Sequence, residues 1–414
     1  MLNKPERALG RVEFVILMAW MSSFVALSID IMLPALGIIG SDLGIAREND
    51  RQLVLTVLFV GMAFGQLLYG PISDSTGRKP VLLFGTSLFI VGCLISALAE
   101  SFAIMLVGRF LQGLGAAAAR NIPVAMIRDC HVGREMAQIM SLIMAVFILV
   151  PMIAPMLGQG ILWVWDWRGI FYVILAFALI CQLWFSLRQP ETLLPERRTP
   201  FTARQLWWAL RAVCTNRQAM AYTVAMSLIF AAFLGYLTSA QQIFQDIYLT
   251  GDHFPLYFAA IAASLCLASL TNSKLVMRLG MRLLVNLSLL GICSVACLFM
   301  LVTLTFDGHP PFWSVMVFFL IGFFPLGVLF GNLNALAMEP LGQVAGMGAA
   351  VIGSLSTLLS LLLGTPIGMS FNGTVTPLIT GFLVYGSLAA LICILVKPAE
   401  LHDDEVAESG PGAD

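Results

Sequence analysis

The feature that most limits what this chain can become is an apolar run long enough to cross a bilayer, repeated along nearly the whole sequence. A hydrocarbon core of roughly 30 Å takes about 20 mostly apolar residues per helix. Twelve such runs are legible, at 14–36, 53–72, 81–99, 103–127, 137–162, 168–187, 220–241, 255–276, 283–305, 312–337, 346–368 and 376–396. They lack the ten-residue alternation of an outer-membrane barrel, so the spans are expected to be helices. With 59% hydrophobic and 11% charged residues, the chain is far from the soluble average of about 45–50% and 25%. A soluble enzyme and a disordered protein are excluded. A formal net charge of −1 supplies no basic face, so no nucleic-acid partner is expected. The chain reads as an all-α polytopic membrane protein whose solvent is the lipid bilayer.

The first run is too long for a cleavable signal, contains Asp30, and does not end in the small residues of a cleavage site. Lys and Arg set the orientation. With the N-terminus inside, 17 of the 22 basic residues fall in cytoplasmic segments: Lys4 to Arg11, Arg78 and Lys79, Arg128 and Arg134, Arg188 to Arg217, Lys274 to Arg282, and Lys397. Only Arg47, Arg51 and Arg168 lie in the opposite loops. Both termini are therefore expected in the cytoplasm, with the chain in a bacterial inner membrane.

Residues 188–219 interrupt the pattern with three prolines and six arginines. They read as a cytoplasmic linker, with an amphipathic piece near 204–213 whose Trp207 and Trp208 face inward at the interface. The linker divides a six-span half (1–187) from a second (220–396). The tail, 397–414, is acidic and contains Gly and Pro, the composition of a disordered segment. Arg278, Gly280 and Arg282 echo Gly77, Arg78 and Lys79, which suggests a two-fold repeat with a site between the halves. No Walker loop, His-Glu-x-x-His or dinucleotide fingerprint is present. No cofactor or metal is therefore expected, and neither is ATP-driven transport or enzymatic activity.

A charge at a helix centre costs about 2.5–3.5 kcal/mol on insertion scales, so Asp30, Arg109 and Arg120, all inside spans, are the candidate functional residues. Asp30 on span 1 and Arg109 on span 4 fall at similar depth. One reading is a static ion pair locking the two helices; the other is a carboxylate that takes up and releases a proton. Arg120 lies eleven residues after Arg109, which returns to nearly the same helix face about 16 Å further in, with Gln112 and Ala116 between. Arg120 either binds an anionic or polar substrate group or satisfies itself on backbone carbonyls. Two cations against one acid favour a neutral, zwitterionic or anionic small-molecule substrate.

Span 5 carries Pro151, Pro155 and Gly158, a combination that either bends the helix or forms a seal between helix pairs. Trp163, Trp165 and Trp167 beyond it read as an interfacial belt. Tyr236, Gln241, Gln242, Asn332 and Asn334 are polar groups at membrane depth in the second half. They either line the site or bond between helices.

Several stretches resemble the major facilitator superfamily. Gly70-Pro71-Ile72-Ser73-Asp74-Ser75-Thr76-Gly77-Arg78-Lys79-Pro80 is similar to its loop signature between spans 2 and 3, and Arg109 to Gly115 to its span 4 motif. Asp30 to Leu36 resembles the span 1 signature of twelve-helix drug:proton antiporters. The span 5 stretch is similar to the antiporter motif, with Ala154 in place of a Gly and Gln159 interrupting the closing Gly pair. Arg128-Asp129, Trp167 to Phe171 and Pro190-Glu191-Thr192 narrow the likeness to the Bcr/CflA group of multidrug efflux transporters. The resemblance implies a major facilitator fold, twelve transmembrane helices in two six-helix bundles, with alternating access and efflux of small amphipathic compounds driven by protons. It gives Asp74, Gly77 and Arg78 a gating role and Asp30 and Arg109 a part in proton coupling, and one copy of the chain is expected to suffice. A proton-coupled importer of a small polar or anionic metabolite, or a membrane receptor without transport, are the alternative readings.

Overall fold

The computed structural model describes residues 9–200 and 202–396. Lys4, Arg7, Lys397 and the acidic tail lie outside the described residues. The first half runs α1 (Arg11–Asp30), α2 (Leu36–Asp42), α3 (Leu53–Thr76), α4 (Arg78–Ala97), α5 (Phe102–Cys130), α6 (Gly133–Leu162) and α7 (Trp167–Arg188). After the linker helix α8 (Ala203–Thr215) come α9 (Arg217–Gln241), α10 (Phe254–Leu279), α11 (Met281–Thr305), α12 (Phe312–Met338), α13 (Ala345–Met369) and α14 (Thr376–Leu395). Over the described residues, eleven spans are long and apolar enough to cross a membrane. The remaining one, α6, is a 30-residue helix with an apolar stretch at Leu149–Leu162. Each of the twelve runs is therefore helical, and α1 and α2 share the first, separated by a 3-10 turn at Leu33–Ala35 that contains Pro34. Proline without an N–H cannot continue the ladder there, which ends α1 at Asp30.

Two six-helix bundles result. In the first, α5 packs against α3 and α4, α1 against α6, and α4 against α7. In the second, α9 packs against α13 and α14, and α12 against α10 and α11. The bundles meet where α3 lies on α13 and α6 on α10. The close approach of α5 to α3 depends on Gly113, where a Cβ would collide with the Leu58 backbone carbonyl. Neither backbone can yield, because both sit inside helices. Gly113→Val is thus expected to lower the unfolding stability of the detergent-solubilised protein by about 3 kcal/mol, the upper range for overpacking. Gly160→Ala, which opens onto free space within α6, should hold or raise the melting temperature; equal melting of the two variants would refute the packing account.

The sequence echo between the halves has a structural counterpart. Gly77 precedes α4 at φ +114° and Gly280 precedes α11 at φ +75°, backbone conformations that side chains with a Cβ rarely adopt. Arg78 pairs with Asp129 at the end of α5 at 3.0 Å, and Arg282 with Glu339 at the end of α12 at 3.6 Å.

Two expectations about tryptophans change. α8 packs on the protein through Leu206, Ala209, Leu210 and Val213, and leaves Trp207 and Trp208 exposed. Trp163 and Trp165 are exposed as a belt requires, but Trp167 is buried. Its indole donates to Asp42 at 2.9 Å, and Arg168 stacks over it at 4.2 Å from the ring centroid. An aromatic at the start of a helix that packs on its own bundle is a core residue, whatever its neighbours in sequence.

Candidate functional site

The three intramembrane charges take different environments. Arg109 is fully buried and satisfied: Nε donates to the Val54 carbonyl (2.9 Å), Nη2 to the Ser28 carbonyl (2.9 Å) and Nη1 to Gln112 Oε1 (2.6 Å). It therefore brackets α1, α3 and α5. Asp30 does not pair with it. The carboxyl, 5% exposed, has no hydrogen bond or ion pair among the described residues. The polar stripe expected along α5 is likewise divided. Gln112 and Ala116 are packed shut, Gln112 also donating to Ser96 at 3.4 Å.

Arg120 alone on that face borders open space, although it lies deep within the protein mass. The lipid-facing edge of α5 is marked by exposed Ile104 and Val107, and Arg120 points roughly 140–160° away from it. The guanidinium accordingly faces the interior of the molecule, and it too has no partner among the described residues. The carbonyl-satisfied reading belongs to Arg109 instead.

Asp30 has a neighbour from the other bundle. Tyr236 of α9 is buried, its hydroxyl has no partner among the described residues, and it lies within electrostatic range of the Asp30 carboxylate. Its ring is held by Phe319 (4.9 Å between centroids) and Phe323 (4.7 Å) of α12 and Phe258 (5.9 Å) of α10. The aromatic wall continues through Phe230, Phe233 and Phe330 and reaches Phe59 of α3, 6.0 Å from Phe230. The two asparagines of α12 separate. Asn332 is buried and donates to Asn272 of α10 (2.8 Å) and to the Val328 carbonyl (3.0 Å). Asn334 is exposed, one turn beyond Phe330 on nearly the same helical face. Gln242 joins the two halves, accepting from Gln52 and donating to Asn49, whereas Gln241 donates to Gln245 and Asp246 within its own half.

At the arginine-rich end, Gly77 turns the chain and Arg78 reaches Asp74 (2.5 Å), Ser73 Oγ (2.8 Å) and Asp129 (3.0 Å). Glu191, which follows α7, accepts from the backbone N–H groups of Arg78 (2.9 Å) and Lys79 (3.0 Å). A carboxylate there satisfies otherwise orphaned donors at the start of α4 and meets the positive end of its dipole. All of these contacts remain in the first bundle and the segment that follows it. On span 5, Pro151 and Pro155 lie in a helix that remains continuous, while Gly158 lets α6 press onto the Ile31 carbonyl just after Asp30.

The chemistry of Arg109 sets a sharp expectation. Three acceptors in three directions suit a planar fork and not a point charge. Arg109→Lys is expected to cost about 3 kcal/mol of stability, because buried acceptors are left without donors. Thermal melting in detergent measures this, and a loss below about 1 kcal/mol would contradict the bracket.

The sequence profile of the Major Facilitator Superfamily matches residues 13–365. An MFS-type transporter of Bacillus subtilis, YdgK, is 30% identical over 375 residues, which cover 89% of this chain and 92% of the relative. A bicyclomycin resistance protein homolog of Haemophilus influenzae is 28% identical over 369 residues, covering 88% and 91%. Among solved structures, the E. coli xylose transporter XylE in a partially occluded inward open conformation aligns with a TM-score of 0.71 at 12% identity, over 92% of this chain and 96% of that one. This likeness is one of fold.

Proposed function

The chain belongs to the Major Facilitator Superfamily, and from that membership we propose that it is a proton-coupled exporter of small amphipathic drugs or metabolites, of the Bcr/CflA type. The observation that carries the proposal is the pair of charges within the spans, Asp30 and Arg120, whose side chains have no hydrogen bond or ion pair among the described residues. An isolated intramembrane charge is a cost that a purely structural protein would shed. The gathering of Arg and Lys at one end supports a cytoplasmic placement of that end, in a bacterial inner membrane. The drug-resistance name of the Haemophilus relative supports export.

In this reading the substrate enters from the cytoplasm and meets the aromatic wall and Arg120, with Asn334 beside the route. A proton from outside reaches Asp30 and resets the cycle. Arg109 serves the coupling by fixing the backbone at Ser28, two residues before Asp30. One inward proton supplies about 2.3 kcal/mol per 100 mV, a concentration ratio of about 40–50.

Inverted membrane vesicles with an acid interior and a pH-sensitive dye test the reading. Neutral, zwitterionic and anionic drugs are expected to release protons, each to its own extent. If the folded protein binds a compound without proton movement, and intact cells accumulate rather than expel it, export gives way to import.

A further inference from the structure

At the end opposite the arginine cluster, polar side chains lace the two bundles together. Arg51, just ahead of α3, forms an ion pair with Asp246 of the second half. Gln52 donates to Gln242 Oε1 at 2.5 Å and to the Gly368 carbonyl at 2.9 Å. Gln242 in turn donates to Asn49 Oδ1 at 2.8 Å, and Asn49 donates to the Met369 and Phe371 carbonyls, both at 2.9 Å. Along a second seam, Asp252 accepts from Gln159 (3.0 Å) and Trp163 (3.1 Å) at the end of α6. At the arginine-rich end, by contrast, the described ion pairs of Arg78, His131, Arg188 and Arg282 each stay within one half.

We propose that Arg51, Asp246, Gln52 and Gln242 form the outer gate of this protein, the contacts that part each time the path opens to the outside. The proposal rests on the alternating-access reading above, but not on the direction of transport or on the driving ion.

Three physical features suit these residues to the task. First, the closed gate is incompletely satisfied. Arg51 Nε, Gln52 Oε1 and Gln241 Oε1 are buried without partners among the described residues, and each such group offsets about 1–3 kcal/mol of what the formed bonds contribute. The lacing is therefore a latch that can be released. Second, Gln242 and Asp246 lie on a π-helical turn, Gln242–Ile247. Such turns are rare and concentrate at functional sites, and a change between π and α winding rotates Asp246 relative to Gln242. Third, the gate lies on the same chain segments as the proposed proton site. Tyr236, the neighbour of Asp30, precedes Gln242 by six residues on the same helix. Gly37, seven residues after Asp30, seats the gate from the other side: a Cβ there would stand 3.2 Å from Gln241 Nε2 and 3.3 Å from Arg51 Nη1. A cavity of about 580 Å³, lined by Arg47, Asn49, Asp246, His309 and Phe371 among others, opens at this end.

Electron–electron distance measurement between nitroxide labels tests the assignment, with the native cysteines replaced. One pair, Ile38→Cys and Leu249→Cys, spans the halves at the gate; the other, Val132→Cys and Met277→Cys, spans them at the arginine-rich end. All four positions are exposed. Arg51→Gln is expected to raise the ratio of long to short gate distances by about tenfold or more while the opposite pair shortens. The double exchange Arg51→Asp with Asp246→Arg should return both distributions toward the parent. Gln242→Leu, which removes no charge, is the second probe and should shift both pairs in the same sense. Unchanged distances in both Arg51→Gln and Gln242→Leu would overturn the assignment, and so would lengthening at the gate with no response at the other end, since that is local fraying. The distances are read without substrate or gradient, so the gate stands or falls on them even if the protein proves to be an importer or to move no drug.

Discussion

Asp30→Asn is expected to reduce drug-driven proton release to the level of protein-free vesicles, while drug affinity in detergent changes by no more than about threefold, under 1 kcal/mol. Asp30 is almost wholly buried, and it has no hydrogen bond or ion pair among the described residues, so Asn removes no contact and the fold should survive. What Asn removes is the capacity to exist in two charge states. A buried carboxyl without a fixed partner has its proton balance set by its surroundings, and a neighbour that arrives or leaves can shift that balance. Arg109 is spent on carbonyls and Gln112, so it does not clamp the carboxyl in its charged form. The substitution should therefore flatten the pH dependence of drug binding as well as abolish coupling. Asp30→Glu, which keeps the titrating group, should restore part of the exchange. Tyr236→Phe should fold as the parent does, because the hydroxyl has no partner among the described residues to lose. An Asp30→Asn protein that still exchanges protons for drug, with its pH profile intact, would remove Asp30 from the mechanism.

The span pattern makes the fold legible because lipid leaves a chain few options: every backbone group must be paired internally, so apolar length alone predicts the helices. Counting residues from the span ends also places Asp30 and Arg109 at one depth, but depth carries no azimuth. Whether two residues on different helices meet depends on helix rotation and crossing, and here Arg109 turns to the Ser28 and Val54 carbonyls. The same limit explains Asn332 and Asn334. Two residues apart on a helix, they point in directions about 160° apart, and only packing decides that Asn332 meets α10 while Asn334 stays exposed. The gate is the least legible part. Arg51 is visible as one of three basic residues on the sparse side, yet its partner Asp246 lies 195 positions away. No local pattern links them. Glu191 stands out in the sequence only as part of a resemblance, and its task at the start of α4 comes from a turn that the sequence does not describe.

Arg120→Ala is expected to weaken anionic drugs by about 10–100-fold, the worth of one charge-assisted hydrogen bond or a bidentate pair, and to leave neutral amphipathic drugs within about twofold. Arg120→Lys keeps the charge and should retain part of the affinity, least for planar carboxylates, which need the fork. Calorimetric titration in detergent with a panel of neutral, zwitterionic and anionic compounds measures the effect. Stability supplies an independent reading with the opposite sign from a structural role. A guanidinium inside the membrane span with no partner among the described residues is itself a folding cost, so its removal should hold or raise the melting temperature, whereas removal of a structural arginine such as Arg109 lowers it. Loss of affinity confined to anions, together with an unreduced melting temperature, is the signature of a residue kept for its ligand. A lowered melting temperature with equal loss across the panel would make Arg120 a structural residue, and the charge selectivity would then have to come from the aromatic wall and Asp30 alone.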